Sequence, residues 1–205
     1  MIDDISIQVI DKNEHIHLKL FVRYMVSLRC KMIVKQQLKK LNINHKILPY
    51  GGIGFIDDVS QNDIDTLKLN LQKHGLDLLN IKETRLIDRS INTIIEVIHY
   101  SDELPRLNFS DILAKSSGLT DETSLKLFTE VVGISVIQFI VLHKIERIKE
   151  LLIYDNLSLS DIANNLNYKN EQTLIAQFKK YTGLTPAFFI ELKNERDKIA
   201  LQINS

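Results

Sequence analysis

Two stretches of the chain repeat one another. Residues 110–135 (SDILAKSSGLTDETSLKLFTEVVGIS) and 160–185 (SDIANNLNYKNEQTLIAQFKKYTGLT) align without a gap at an offset of 50. Identities fall at Ser110/Ser160, Asp111/Asp161, Ile112/Ile162, Thr123/Thr173, Phe128/Phe178 and Gly133/Gly183. A repeat of this kind constrains the fold strongly, because each copy must be one supersecondary unit. Ser110 and Ser160 read as N-caps, with Asp111 and Asp161 in the first turn, where the helix dipole favours a negative charge. A tight turn follows at Gly118 in one copy and at Asn167 in the other; Asn tolerates positive φ better than most side chains. Second helices are predicted at about Asp121–Val132 and Glu171–Thr182, ended by Gly133 and Gly183. Ser135 and Thr185 read as caps of what comes next, and Pro186 suits a first helical position. Short helix, turn and second helix make a helix-turn-helix, whose second helix fits the DNA major groove.

Between the copies, Ile137–Tyr154 is apolar around much of its circumference up to Leu142. That is the pattern of a largely buried helix joining two motifs. Three further landmarks stand in order along the chain. They are Ile145-Glu-Arg-Ile-Lys-Glu-Leu-Leu152, then Leu159-Ser-Asp-Ile-Ala163, then Phe178-Lys-Lys-Tyr-Thr-Gly-Leu-Thr-Pro186 with Phe188 and Phe189. This ordered set resembles the DNA-binding domain of the AraC/XylS transcription regulators over residues 105–192. The resemblance implies two helix-turn-helix motifs, at 110–132 and 160–182, presenting their second helices to successive major-groove faces about one turn, or ~34 Å, apart. Double-stranded DNA is the partner implied.

The chain departs from that family where bases would be read. Asn167-Tyr168 stands in place of Gly-Phe or Gly-Tyr at the second turn. Leu125-Lys126 and Ile175-Ala176 occupy the middles of the recognition helices, where the family usually has polar residues. The remaining DNA-contact candidates are Thr120, Glu122, Thr123 and Lys126 in the first motif, and Lys169, Asn170, Gln172, Thr173 and Gln177 in the second. Asn and Gln can pair bidentately with adenine, and Thr can meet the thymine methyl. Lys169, Lys179 and Lys180 are expected on phosphates, which position a protein without carrying sequence information. For each of these residues, a solvated helix face is the plain alternative.

Residues 1–82 mix two periods. Ile16, Leu18, Leu20 and Val22 alternate with His17, Lys19, Phe21 and Arg23, which predicts a strand within His15–Met25. A helix is expected at Cys30–Leu41, two short strands within His45–Ile56, a helix at Gln61–His74 and a strand at Leu76–Ile81. The order β-α-β-β-α-β is that of a ferredoxin-like fold. The fold class is therefore an α+β domain followed by an all-α double helix-turn-helix domain at 105–205, with a connecting helix at 83–104. The junction Met25-Val-Ser-Leu-Arg-Cys30 also resembles the heavy-metal-associated domain, in which a pair of cysteines at this place holds a soft ion. Here Ser27 replaces the first thiolate, and a hydroxyl is a poor ligand for soft metals. Met25 and Cys30 are the residual candidates, so no metal or other cofactor is expected. His15 and His17 share a strand face, but no third ligand is placed beside them. Gly51-Gly-Ile-Gly54 lacks the lysine of a phosphate loop and reads as a turn.

Ile87, Ile91, Ile94, Ile95 and Ile98 stripe one face within 84–101. Packing within the chain is one reading of that face and a homodimer seam the other; the N-terminal domain is the second place for a dimer contact. Charge does not argue for DNA. The chain has 26 basic and 26 acidic residues, and 84–205 holds 14 basic against 16 acidic. One cysteine excludes an intramolecular disulfide and fits a reducing compartment; the regulator resemblance implies that this is the bacterial cytoplasm. No apolar run approaches the ~20 residues of a membrane span, and the first residues are not those of a signal peptide. No catalytic constellation stands out, so an enzyme is not expected. Two other functions stay open: a protein-interaction module with degenerate DNA-reading helices, and a metal-responsive or metallochaperone-like protein acting through Cys30. Operator and effector ligand are not legible.

Overall fold

The computed structural model describes residues 16–100, 119, 121–155 and 157–203. The caps at Ser110 and Asp111, the turn at Gly118, and the residues His15 and Thr120 lie outside them. The described chain falls into two compact units. One joins 16–87 to 122–134, and the other joins the described residues of 88–121 to those of 135–203.

The first unit is built on four strands: β1 (Leu18–Arg23), β2 (His45–Leu48), β3 (Gly52–Phe55) and β4 (Asp77–Leu78). Their order across the sheet is β2-β3-β1-β4, with every neighbouring pair antiparallel. Leu18 pairs with Phe55, Phe21 with Gly52 and Val22 with Leu78. Helix α1 (Leu28–Lys40) follows β1, and α2 (Gln61–Gln72) precedes β4. Leu20 and Val22 of β1 join Val34 and Leu38 of α1 and Leu67 and Leu71 of α2 in one apolar core. Phe21 points to the other face by strand alternation and is equally buried, so the sheet is covered on both sides. The expected strand at Leu76–Ile81 shrinks to two residues. Asn80 and Glu83 exchange backbone-to-side-chain hydrogen bonds at 3.0 and 3.1 Å, a capping box that starts α3 (Ile81–His99) where the strand was expected to continue.

Helix α4 (Glu122–Val132), the second helix of the first repeat, belongs to this same unit. The Tyr24 N–H donates to the Glu130 carbonyl at 2.8 Å. Arg23 lies between three carboxylates: Glu83 at 2.6 Å, Glu130 at 3.5 Å and Asp77 at 3.8 Å. Close approach explains two glycines here. A Cβ on Gly51 would sit 3.0 Å from the Val131 carbonyl oxygen, and one on Gly133 would sit 2.7 Å from Val26 Cγ1. Both also have positive φ, so a side chain would be strained in either case.

The second unit centres on α5 (Val136–Glu150). Ser135 and Gln138 form its capping box, as the cap assignment from sequence expects. The helix ends in a π turn at Leu151–Asp155, where Lys193 Nζ donates to the Ile153 carbonyl at 3.1 Å. Then come α6 (Leu159–Asn165), α7 (Glu171–Thr182) and α8 (Pro186–Ile203). The cap of α6 is Ser158 rather than Ser160: Ser158 Oγ accepts the Asp161 N–H at 3.1 Å, placing Ser160 inside the first turn. The second serine-plus-acid register, Ser158 with Asp161 three residues on, is the one that satisfies an orphan amide. Phe139, Ile140, Ile148, Leu152, Ile162, Leu166, Leu174 and Phe178 are buried in this unit. Ile87, Ile91, Ile94 and Ile98 of α3 are each at most 4% exposed, and Ile95 is half-buried.

Candidate nucleic-acid interface

The turn between α6 and α7 is built by three residues. Asn167 adopts the left-handed conformation at φ 53°. The Tyr168 N–H donates back to the Ala163 carbonyl at 2.8 Å, closing α6 as a Schellman-type end. Lys144 of α5 supplies the third element: its Nζ donates to the Leu166 carbonyl at 2.7 Å and lies 5.1 Å from the Tyr168 ring centroid. Burial pushes the Lys144 ammonium down to about 8, and burial also raises the Tyr168 phenol. The Tyr168 hydroxyl donates to Gln177 Oε1 at 2.5 Å, which ties the turn to the middle of α7.

These contacts sort the sequence candidates. Asn170 is the N-cap of α7; its Oδ1 accepts from the Thr173 N–H at 2.9 Å and from the Thr173 hydroxyl at 2.8 Å. Gln177 is half-buried and engaged by Tyr168. In this conformation the amide oxygen of each is engaged within the chain. Gln172, Thr173, Ala176, Lys179 and Lys180 are exposed and lie at helical spacing along one face, with Lys169 exposed just ahead of the cap. Ile175, which the sequence places on the exposed middle of the helix, is half-buried. The outer face of α7 is therefore more polar than its sequence suggests. Leu174 and Phe178 anchor the opposite face, and Phe178 packs edge-on against Phe189 of α8 with ring centroids 5.7 Å apart.

On α4 the exposed residues are Glu122, Thr123, Leu125, Lys126 and Thr129, while Ser124, Leu127, Phe128 and Val131 are buried. Three of the predicted contacts are thus on the outer face. Thr129, not singled out from sequence, joins them at i+3 from Lys126; its hydroxyl is turned inward onto the Leu125 carbonyl at 3.0 Å. The inward end of α4 carries Glu130, whose carboxylate accepts from the Tyr24 hydroxyl and raises the Tyr24 pKa. Sequence reasoning missed Lys144. Its signal was a lone cation at i+4 from Ile140 and four before Ile148, both apolar core positions.

At the junction resembling a metal loop, Ser27 is the N-cap of α1, accepting the Cys30 N–H at 3.3 Å. Met25 is 2% exposed and sits in the core of the first unit. Among the described residues, no three His, Cys, Asp or Glu side chains converge as metal ligands. Among them, too, no single helix is long and apolar enough to cross a membrane.

Residues 113–191 match the helix-turn-helix domain family. Curated relatives are similar over about half of the chain or less. An HTH-type transcriptional regulator, YtdP, of Bacillus subtilis is 29% identical over 102 residues, covering 50% of this chain and 13% of that protein. The F1 operon positive regulatory protein of Yersinia pestis is 31% identical over 97 residues, covering 47% of this chain and 32% of that protein. The HTH-type transcriptional activator AarP of Providencia stuartii is 30% identical over 84 residues, covering 41% of this chain and 62% of that protein. The chain thus spans less than two thirds of each of these relatives.

Proposed function

We propose that this chain is a DNA-binding transcriptional regulator of the AraC/XylS type. The observation that carries the reading is α7: a helix fixed at the Asn167 turn, with Gln172, Thr173, Lys179 and Lys180 exposed along one face. Gln172 and Thr173 are the base readers in this reading, and Lys169, Lys179 and Lys180 the phosphate contacts. Glu122, Thr123 and Lys126 of α4 are their counterparts in the first motif. The N-terminal unit is read as ferredoxin-like, supported by its element order and by the strand order β2-β3-β1-β4. Its metal-loop resemblance is read as inherited fold without inherited ligand, since Ser27 serves as a helix cap and Met25 as core. The bacterial cytoplasm is the compartment that suits a DNA-binding chain with one thiol. The regulator names of the relatives support this reading of the whole chain.

The test is selection of bound duplexes from random DNA by the full chain. Enrichment of a motif with two half-sites about one helical turn, ~10 bp, apart is expected. Recovery of random sequence only would refute the regulator reading. Lys179→Ala should weaken binding evenly across sequences and lower the salt slope of log K by about one. A slope equal to that of the unmodified chain would remove Lys179 from the phosphate set.

A further inference from the structure

A protein that grips DNA must neutralise phosphates, yet the half of the chain holding the repeat is slightly acidic. The cations are concentrated elsewhere. Helix α1 carries Arg29, Lys31, Lys35, Lys39 and Lys40, with no acidic residue in its 13 positions. Lys31, Lys35 and Lys39 follow at steps of four, which aligns them in one stripe about 12 Å long. All three are exposed, while Val34, Gln37 and Leu38 face the core. None of the three forms an ion pair among the described residues. Like charges four apart on a helix repel, and nothing in α1 offsets them. Helix α2, on the same core, is different: Asp63 and Asp65 accompany Lys68.

The stripe ends in a concavity. Lys35, Lys39, Asn42, Ile43, Asn44 and His45 line a shallow cavity of about 500 Å³. The Asn44 amide is held by the Asp57 carboxylate at 2.6 Å, and His45 Nδ1 lies 2.9 Å from the Ile43 carbonyl. Lys35, Lys39 and Asn42 bring two ammonium groups and an amide to this lining. This helix also belongs to the unit that holds α4: the Tyr24 amide bound to the Glu130 carbonyl lies only four residues before Leu28. DNA engaged by α4 is therefore engaged by the same body that carries α1.

We propose that the exposed face of α1, through Lys31, Lys35 and Lys39, is a binding surface for the phosphate backbone of duplex DNA. The proposal rests on the DNA-binding reading and adds the N-terminal unit to the contact. It assigns no sequence preference to this surface, because phosphates are the same under every base pair.

The experiment measures binding of the full chain to a random-sequence duplex of ~30 bp by fluorescence anisotropy, from ~50 to ~200 mM salt. The variant K31Q/K35Q/K39Q should lower the magnitude of the salt slope by about two to three and weaken binding roughly tenfold or more. K31R/K35R/K39R keeps the charge and should keep both. K68Q/K73Q removes two cations from the α2 side of the same unit and should leave the slope unchanged. If the triple glutamine chain fails to fold, K35Q alone should lower the slope by about one. An unchanged slope in the glutamine variants overturns the proposal, and so does an equal drop in K68Q/K73Q, which would make the effect one of net charge. Absence of any duplex binding by the unmodified chain overturns both this surface and the DNA-binding reading. Selection without an enriched motif, beside the expected slopes, overturns the regulator reading alone.

Discussion

Phe178→Ala is expected to destabilise the second unit by about 3–5 kcal/mol. Phe178 is fully buried, packs against Phe189, and sits on the inner face of α7 beside Leu174. Truncation removes its transfer free energy and leaves a void that neighbouring helices fill only in part. Domains of this size are stable by roughly 5–15 kcal/mol, so the loss is a large share of the whole. It falls on the helix that presents Gln172, Thr173, Lys179 and Lys180, so DNA binding should fail together with folding. Urea titration followed by circular dichroism should show a lower midpoint with the slope preserved. Phe178→Leu, which keeps most of the volume, should cost clearly less. Equal midpoints for the alanine variant and the unmodified chain would show that the ring does not anchor the helix.

Acid should weaken the second unit through His143. This ring is 3% exposed, lies 4.4 Å from the Phe139 ring and faces His99, with His143 Nδ1 and His99 Nε2 3.2 Å apart. His99 Nδ1 in turn lies 3.4 Å from Glu150, which pairs with Arg147 at 3.1 Å. These distances place the His143 ring, the His99 ring and the Glu150 carboxylate in one hydrogen-bonded chain. Burial, followed by the neighbouring His99, lowers His143 from its usual 6.5 to about 4. The folded state therefore binds its proton later than the unfolded state. Between those values the unfolded chain holds more protons, so stability rises with pH. The contribution is fully present above about 6.5 and is lost as pH falls towards about 4. Its size is up to ~3 kcal/mol. The comparison to make is denaturant stability of the unmodified chain and His143→Gln at several pH values across that window. The difference between them should shrink on acidification, and a constant difference would show that His143 is not the titrating group.

Signals that act over a few residues are legible in this sequence. The bounds Glu171–Thr182, the left-handed Asn167, and the glycine ends at 133 and 183 all follow from caps and turn chemistry, which act over a few residues. The alternation of β1 was legible for the same reason, although Phe21 shows that its second face is also covered. Errors arose where two local signals competed. Ser158 and Ser160 are both good caps, and Asn80 starts a helix inside an apolar run that suits a strand. The candidate interface was legible only in outline. Nothing near Gln177 reveals that Tyr168 holds it, and nothing near His99 reveals a second imidazole 44 residues on. Nor could spacing show that α4 belongs to the unit of the sheet, because the Tyr24–Glu130 hydrogen bond joins residues about a hundred positions apart.

The hydrogen bond from Tyr24 to Glu130 bears on how the chain can be dissected. A cut near residue 105, at the seam the repeat suggests, would free both helix-turn-helix copies on paper. It would also strip α4 of the hydrogen bond from the Tyr24 amide and of the Arg23 guanidinium beside Glu130. Such a fragment is a different folding problem from the intact chain. Gene boundaries drawn from motif boundaries would break a unit that the backbone enters twice.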